Sequence, residues 1–194
     1  SLYGIIRLNM ENNKQLFYSE FKYESIIISK QWKNFINDKW ESYFGFEGMS
    51  IPSIIWRQEV LLREIDKVFP FKHVGLIRLP ANYNYNWHKD INRGCGINML
   101  LEHDESYTLF DLFESKRQTN PSNNEHHNFD QFGVEFIELK YKINKFYAFN
   151  TQQMHCVLNF NKPRYLFTVE FKQDHKELPY EILYKWMEIN NLIK

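Results

Sequence analysis

From His73 to Phe171 the chain is a succession of short apolar runs, each closed within a few residues by Asn, Gly, Asp or Pro. Seven of these runs have the length and side-chain make-up of strands: Val74–Leu79, Gly96–Glu102, Tyr107–Phe113, Val134–Leu139, Lys145–Asn150, His155–Phe160 and Arg164–Phe171. Seven short strands in about a hundred residues argue against a parallel sheet with alternating helices. They point to a β-sandwich or a barrel. The one long polar interruption, Glu114 to Gln131, contains Lys116-Arg117-Gln118-Thr119-Asn120-Pro121-Ser122-Asn123-Asn124 and is expected to be an exposed loop.

The flanks have a different texture. Trp32, Phe35, Ile36, Trp40 and Tyr43 recur at helical spacing, which predicts a helix over Gln31 to Phe44. A second helix is predicted from Ile54 to Phe69, with Leu61, Ile65 and Val68 on one stripe and Pro70 ending it. A third is predicted from Pro179 to Leu192, where Ile182, Leu183, Trp186 and Met187 form the buried stripe. Gly4–Met10 and Phe21–Ser29 are expected to be extended. The architecture expected is mainly β with flanking helices. One domain spans 1–194: an N-terminal helical and extended support (1–72), a β core (73–172) and a C-terminal helix (173–194).

An aromatic content of 18% suits an interior packed with rings. Twenty-four acidic residues balance 24 basic ones, and no half of the chain is strongly basic, which argues against nucleic acid as the main partner. No apolar run approaches membrane-spanning length, and no signal peptide is visible. Cys95 and Cys156 make neither a disulfide framework nor a zinc pattern, so a reducing, cytoplasmic compartment is expected. Nucleophile elbow, P-loop and dinucleotide fingerprints are all missing.

The residues with chemistry to offer are His88-Lys89-Asp90, His155 and Arg164. Two imidazoles and one carboxylate are the ligand set of a non-haem Fe(II) oxygenase, which leaves one face of the metal open. His88 and Asp90 stand at i and i+2, so in an extended segment both point to the same side. The third ligand must come from a distant strand, and His155 opens one just after Thr151-Gln152-Gln153. Taken singly, His88 and Asp90 also fit a surface turn after Asn82-Tyr83-Asn84-Tyr85-Asn86, and His155 fits a satisfied core histidine. Arg164 discriminates better, because an arginine in an apolar strand is costly to bury without an anion. That anion is the distal carboxylate of an oxo-acid, or else Glu170 on the same face of the strand. Cys156 beside His155 is a weak candidate nucleophile, since adjacent strand residues face opposite ways. His103, His126 and His127 fall in turn or loop sequence, while His73 and His175 flank structured segments.

Three stretches together resemble the Fe(II)/2-oxoglutarate-dependent oxygenases, and more narrowly the aspartyl/asparaginyl β-hydroxylase-like branch. They are Trp87-His88-Lys89-Asp90, Cys95-Gly96-Ile97-Asn98-Met99-Leu100-Leu101, and His155 through Arg164 to Phe171. The resemblance covers about Leu79 to Phe171. It implies a double-stranded β-helix (jelly-roll or cupin-like) core. It further implies His88, Asp90 and His155 as ligands of Fe(II), and Arg164 as the partner of the 2-oxoglutarate distal carboxylate. Asn98 and Thr168 are candidate co-substrate contacts, and Tyr83 and Trp87 either line the substrate mouth or pack. Aspartyl β-hydroxylase lacks the acidic ligand that Asp90 supplies here, and that branch carries a basic residue at the position of Asn98. The reaction implied uses dioxygen to hydroxylate a free amino acid or a peptide residue, with 2-oxoglutarate decarboxylated to succinate. The alternatives are a cupin-type metal barrel with other chemistry and a non-catalytic binding module, and the oligomeric state is open.

Overall fold

The computed structural model describes residues 14–43, 45–102, 105–112 and 136–194. Eleven strands are present there: β1 (Tyr18–Glu24), β2 (Glu41–Tyr43), β3 (Phe46–Ser50), β4 (Phe71–Leu79), β5 (Asn84–His88), β6 (Cys95–Leu100), β7 (Ser106–Asp111), β8 (Phe136–Leu139), β9 (Lys145–Asn150), β10 (His155–Asn159) and β11 (Arg164–Phe171). Helices α1 (Ile28–Gln31), α2 (Ser53–Trp56), α3 (Val60–Val68) and α4 (Tyr180–Ile189) flank them. The strands form a seven-stranded sheet, β1-β9-β6-β11-β4-β3-β2, facing a four-stranded sheet, β5-β10-β7-β8. Every pairing is antiparallel. From β4 to β11 the chain alternates between the two sheets, except that β7 and β8 follow one another within the small sheet, which makes the core a double-stranded β-helix.

The period of two in the strands separates core from cavity. Along β11, Phe167, Val169 and Phe171 join the main hydrophobic core, while Arg164, Leu166, Thr168 and Glu170 line a cavity between the sheets. Along β6, Ile97 and Met99 face the core and Asn98 faces the cavity. The apolar face of the large sheet is covered by Leu62 and Ile65 of α3, Leu183 and Met187 of α4, and Trp32, all almost completely buried. Each such side chain contributes about 1.5–3 kcal/mol. No helix among the described residues is long and apolar enough to cross a membrane.

The predicted strands in β9 and β11 coincide with the observed ones, and the others agree within a few residues. Two predicted helices do not survive intact. The segment Gln31 to Phe44 yields only the end of α1 and a 3-10 turn, Trp32–Phe35, before the chain turns into β2. Its tryptophans are held by tertiary contacts: Trp32 and Trp40 both pack on Tyr165, and Arg78 lies 4.8 Å over the Trp40 ring, while Tyr43 is exposed. These tertiary contacts outweigh the local helical pattern. The β2–β3 turn then needs glycine, because Gly45 has φ +93° and the Tyr83 ring occupies the space of any β-carbon.

The helix expected from Ile54 to Phe69 is split into α2 and α3 by an extended Glu59. Its buried carboxylate accepts hydrogen bonds from Ser25 Oγ at 2.6 Å and from the N–H groups of Ile26, Ile27 and Ile28. Glu59 therefore caps the start of α1 from across the fold, and breaking its own helix is what aims it there. Phe21–Ser29 is extended only as far as Glu24 before α1 begins, and Gly4–Met10 lies outside the described residues, as does all of Glu114 to Gln131.

Candidate metal centre

His88 closes β5 and His155 opens β10, and the two are register partners across the small sheet. Their ring centroids are 4.2 Å apart. His88 Nδ1 donates to the carbonyl of Asn86 at 2.7 Å, and His155 Nδ1 donates to the carbonyl of Gln153 at 2.8 Å. A carbonyl oxygen can only accept, so each Nδ1 carries a proton, and in the neutral ring Nε2 is then the nitrogen with the free lone pair. Burial holds the His155 imidazole below its ordinary pKa, with the Asp90 charge pulling the other way. The neutral ring is the form a metal requires.

Asp90 follows just beyond β5, its N–H donating to the carbonyl of Thr151 at 3.1 Å. Its Oδ1 stands 3.6 Å from His88 Nε2, and its Oδ2 stands 3.5 Å from Arg93 Nη1. One ligand atom from each of His88, Asp90 and His155 lies within 4.8 Å of the others. An ion about 2 Å from each donor would draw that triangle in, since two donors at that distance lie at most about 4 Å apart. The two strands thus carry the imidazoles, and the loop after β5 brings the carboxylate.

These three residues form one wall of a cavity of about 340 Å³, the scale of a small-molecule site. Arg164, Asn98 and Thr168 line the same cavity from the large sheet. Arg164 is 1% exposed; its Nη2 donates to Thr108 Oγ1 at 2.8 Å, and its guanidinium lies 5.3 Å from the centre of the Tyr141 ring. The rival partner, Glu170, is engaged at the sheet surface by Lys72 Nζ at 2.8 Å. Asn98 and Thr168 are register partners on β6 and β11. Among the described residues, Asn98 Oδ1 is buried without a hydrogen-bond partner, a polar atom that a ligand in the cavity would satisfy.

Arg93, a candidate partner of Asp90 on sequence grounds, does pair with it. Thr108, Tyr141 and Gln152 also belong to this neighbourhood and were not singled out in the sequence as site residues. No motif marks them, because each acts through a partner distant in the chain. Tyr85 lines the cavity, its ring 4.4 Å from that of His88, whereas Tyr83 packs at Gly45. His73 and His175 lie away from the cavity lining, and His103, His126 and His127 fall outside the described residues. Burial pushes the Cys156 thiol up to about 12, so it offers no thiolate at neutral pH.

No family model matches the sequence, and no curated protein matches it. Solved structures do. A prolyl-4-hydroxylase from Pseudomonas putida superposes with TM-score 0.56 at 10% identity, over 84% of this chain and 96% of that one. The epimerase SnoN, in complex with Fe3+, alpha-ketoglutarate and nogalamycin RO, superposes with TM-score 0.61 at 6% identity, over 80% and 78%. A 2OG-Fe(II) oxygenase family oxidoreductase from Burkholderia pseudomallei gives 0.58 at 7% identity, over 88% and 90%. At such identities the likeness is one of fold: the double-stranded β-helix is shared along most of both chains.

Proposed function

We propose that this chain is an Fe(II)- and 2-oxoglutarate-dependent dioxygenase that hydroxylates a free amino acid or a peptide residue. The observation that carries the reading is a single cavity holding three metal-type donors on one wall and a buried arginine on the other. The donor chemistry fits iron: two neutral imidazoles and one carboxylate bind one face and leave the rest open. Iron(II) held there supplies the means to activate dioxygen while 2-oxoglutarate is decarboxylated. One oxygen atom ends in succinate and the other in the hydroxyl of the product, with carbon dioxide released.

The chain's own residues do the rest. Arg164, backed by Thr108 and Tyr141, offers a fixed cation to the distal carboxylate of the oxo-acid. Asn98 and Thr168 offer polar atoms along the same wall. Ile77, Leu79, Val157 and Leu166 make the cavity largely apolar, which limits water around the metal. Tyr85 and Phe46, in ring contact with each other, complete the side next to His88 and suit the primary substrate.

The sequence stretches around Trp87, Asn98 and Arg164 support the aspartyl/asparaginyl β-hydroxylase-like branch in particular. The acidic ligand Asp90 and the neutral Asn98 set the chain apart within it. Two buried free cysteines fit a reducing, cytoplasmic compartment. One observation favours the non-catalytic reading, namely the pairing of Asp90 with Arg93. That pairing engages Oδ2 and leaves Oδ1 facing His88, so it is compatible with ligation.

The test is an anaerobic titration of the metal-free protein with Fe(II) and then 2-oxoglutarate, followed by the visible charge-transfer band of the chelated complex. Appearance of the band supports the dioxygenase. Fe(II) binding without a band would put a metal barrel with other chemistry in its place, and no binding at all would leave a scaffold.

A further inference from the structure

The loop that carries Asp90 is fastened in two ways that the ligand set alone does not explain. First, Arg93 folds back on it. Nη1 lies 3.5 Å from Asp90 Oδ2, Nη2 donates to the carbonyl of Val169 in β11 at 3.3 Å, and the guanidinium lies 5.9 Å from the centre of the Phe149 ring. A seat is cut for it in β6, where a β-carbon on Gly96 would fall 2.2 Å from Nη2. Second, Gln152 Nε2 donates to the carbonyls of both Asp90, at 2.7 Å, and Arg93, at 2.6 Å. Thr151 Oγ1 also donates to the Arg93 carbonyl, and the Thr151 carbonyl accepts from the Asp90 N–H. Thr151 and Gln152 stand in the turn that leads into His155.

We infer that Arg93 and Gln152 are positioning residues that buckle the Asp90 loop to the His155 turn and present one carboxylate oxygen, Oδ1, to the metal. The inference rests on the proposed metal site. A carboxylate with both oxygens available can swing and bind through both, which would consume a coordination position that the reaction needs. Holding Oδ2 on a guanidinium leaves Oδ1 on the His88 side. Gln152 does the complementary work on the backbone. Its two donated hydrogen bonds fix the carbonyls on either side of Ile91 and Asn92, so the loop cannot move without the turn that carries His155.

The test compares wild type with Arg93→Gln, Arg93→Lys and Gln152→Glu, the last being the same shape without the donor. Three quantities are read: anaerobic Fe(II) affinity, the visible absorption of the Co(II)-substituted protein, and thermal unfolding of the metal-free protein. Loss of a group that orients a ligand costs about 10- to 100-fold in metal affinity. That loss is expected for Arg93→Gln and Gln152→Glu, with a changed Co(II) spectrum and little change in metal-free unfolding. Arg93→Lys keeps the cation and is expected to recover part of the affinity and a near-native spectrum. Wild-type binding of Fe(II) with unchanged affinity and spectrum in both variants overturns the inference and leaves the metal site standing. Affinity losses matched by equal losses of metal-free stability, with no rescue by lysine, also overturn it. Failure of wild type itself to bind Fe(II) removes the site, and the inference with it.

Discussion

Replacing Arg164 by Met is expected to separate binding of the proposed co-substrate from folding, because the first should fall steeply while the second barely changes. The side chain is fully enclosed, on the first residue of β11, with its Nη2 on the Thr108 hydroxyl. Truncating one member of a buried, hydrogen-bonded charge pair costs about 2–5 kcal/mol of binding. At 1.4 kcal/mol per tenfold, 2-oxoglutarate affinity is expected to fall about 30- to 4,000-fold. Under the proposed reading Fe(II) would sit with His88 and His155 of the small sheet and with Asp90 of the loop after β5, away from Arg164, and it is expected to bind within about threefold of wild type. Folding is a different matter. An apolar side chain of similar volume in place of a buried charge is often neutral or stabilising, and the orphaned Thr108 hydroxyl costs about 1–2 kcal/mol. Metal-free unfolding is therefore expected within a few degrees of wild type. The assay is paired anaerobic titration, first Fe(II) and then 2-oxoglutarate, with a melting curve on the metal-free variant. Oxo-acid affinity within threefold of wild type, or equal weakening of Fe(II) and oxo-acid, would refute the role given to Arg164.

His155→Ala removes one of three donors and is expected to abolish Fe(II) binding and turnover, while the metal-free chain melts within about 10 °C of wild type; retained metal-dependent activity would sink the triad. Glu59→Gln keeps the shape but replaces charge-assisted hydrogen bonds to Ser25 and α1 by neutral ones. It is expected to cost about 2 kcal/mol, or roughly 4–8 °C in a chain of this size, read by calorimetry, and an unchanged melting point would deny Glu59 its capping role. Burial pushes both the Cys95 and Cys156 thiols up to about 12. A raised pKa means less thiolate, so iodoacetamide at pH 8 is expected to leave both unmodified until urea is added, and an adduct on the folded protein would contradict their burial.

What the sequence made legible follows from how each element earns its stability. Strands β9 and β11 are buried along most of both faces and read as largely apolar runs, so their limits are plain in the sequence. Strand β5 is not, although it carries His88. Its Asn84-Tyr85-Asn86-Trp87 alternates polar and aromatic residues because it lies at the edge of the small sheet, and asparagines there resemble turn sequence. The spacing of Trp32 to Tyr43 suggested a helix because the pattern records which residues are buried, not which neighbour buries them. The site divides along similar lines. Imidazoles, a carboxylate and a strand-bound arginine announce their chemistry by residue type. Gln152 and Gly96 act through backbone carbonyls and through empty space, and no residue type signals either.

The alternation along β11 ties the fate of the cavity to that of the core. A shift of pairing by one residue would turn Phe167 and Val169 into the cavity and push Thr168 and Glu170 among the helices. A one-residue insertion or deletion in this strand therefore has no way to damage the cavity quietly, since it exposes the interior in the same stroke. Selection for a chain that merely folds already preserves the register on which this wall of the cavity depends. What remains open to drift is the choice of side chain at Arg164, Leu166, Thr168 and Glu170, and there a lineage can trade one chemistry for another while its scaffold stays as it was.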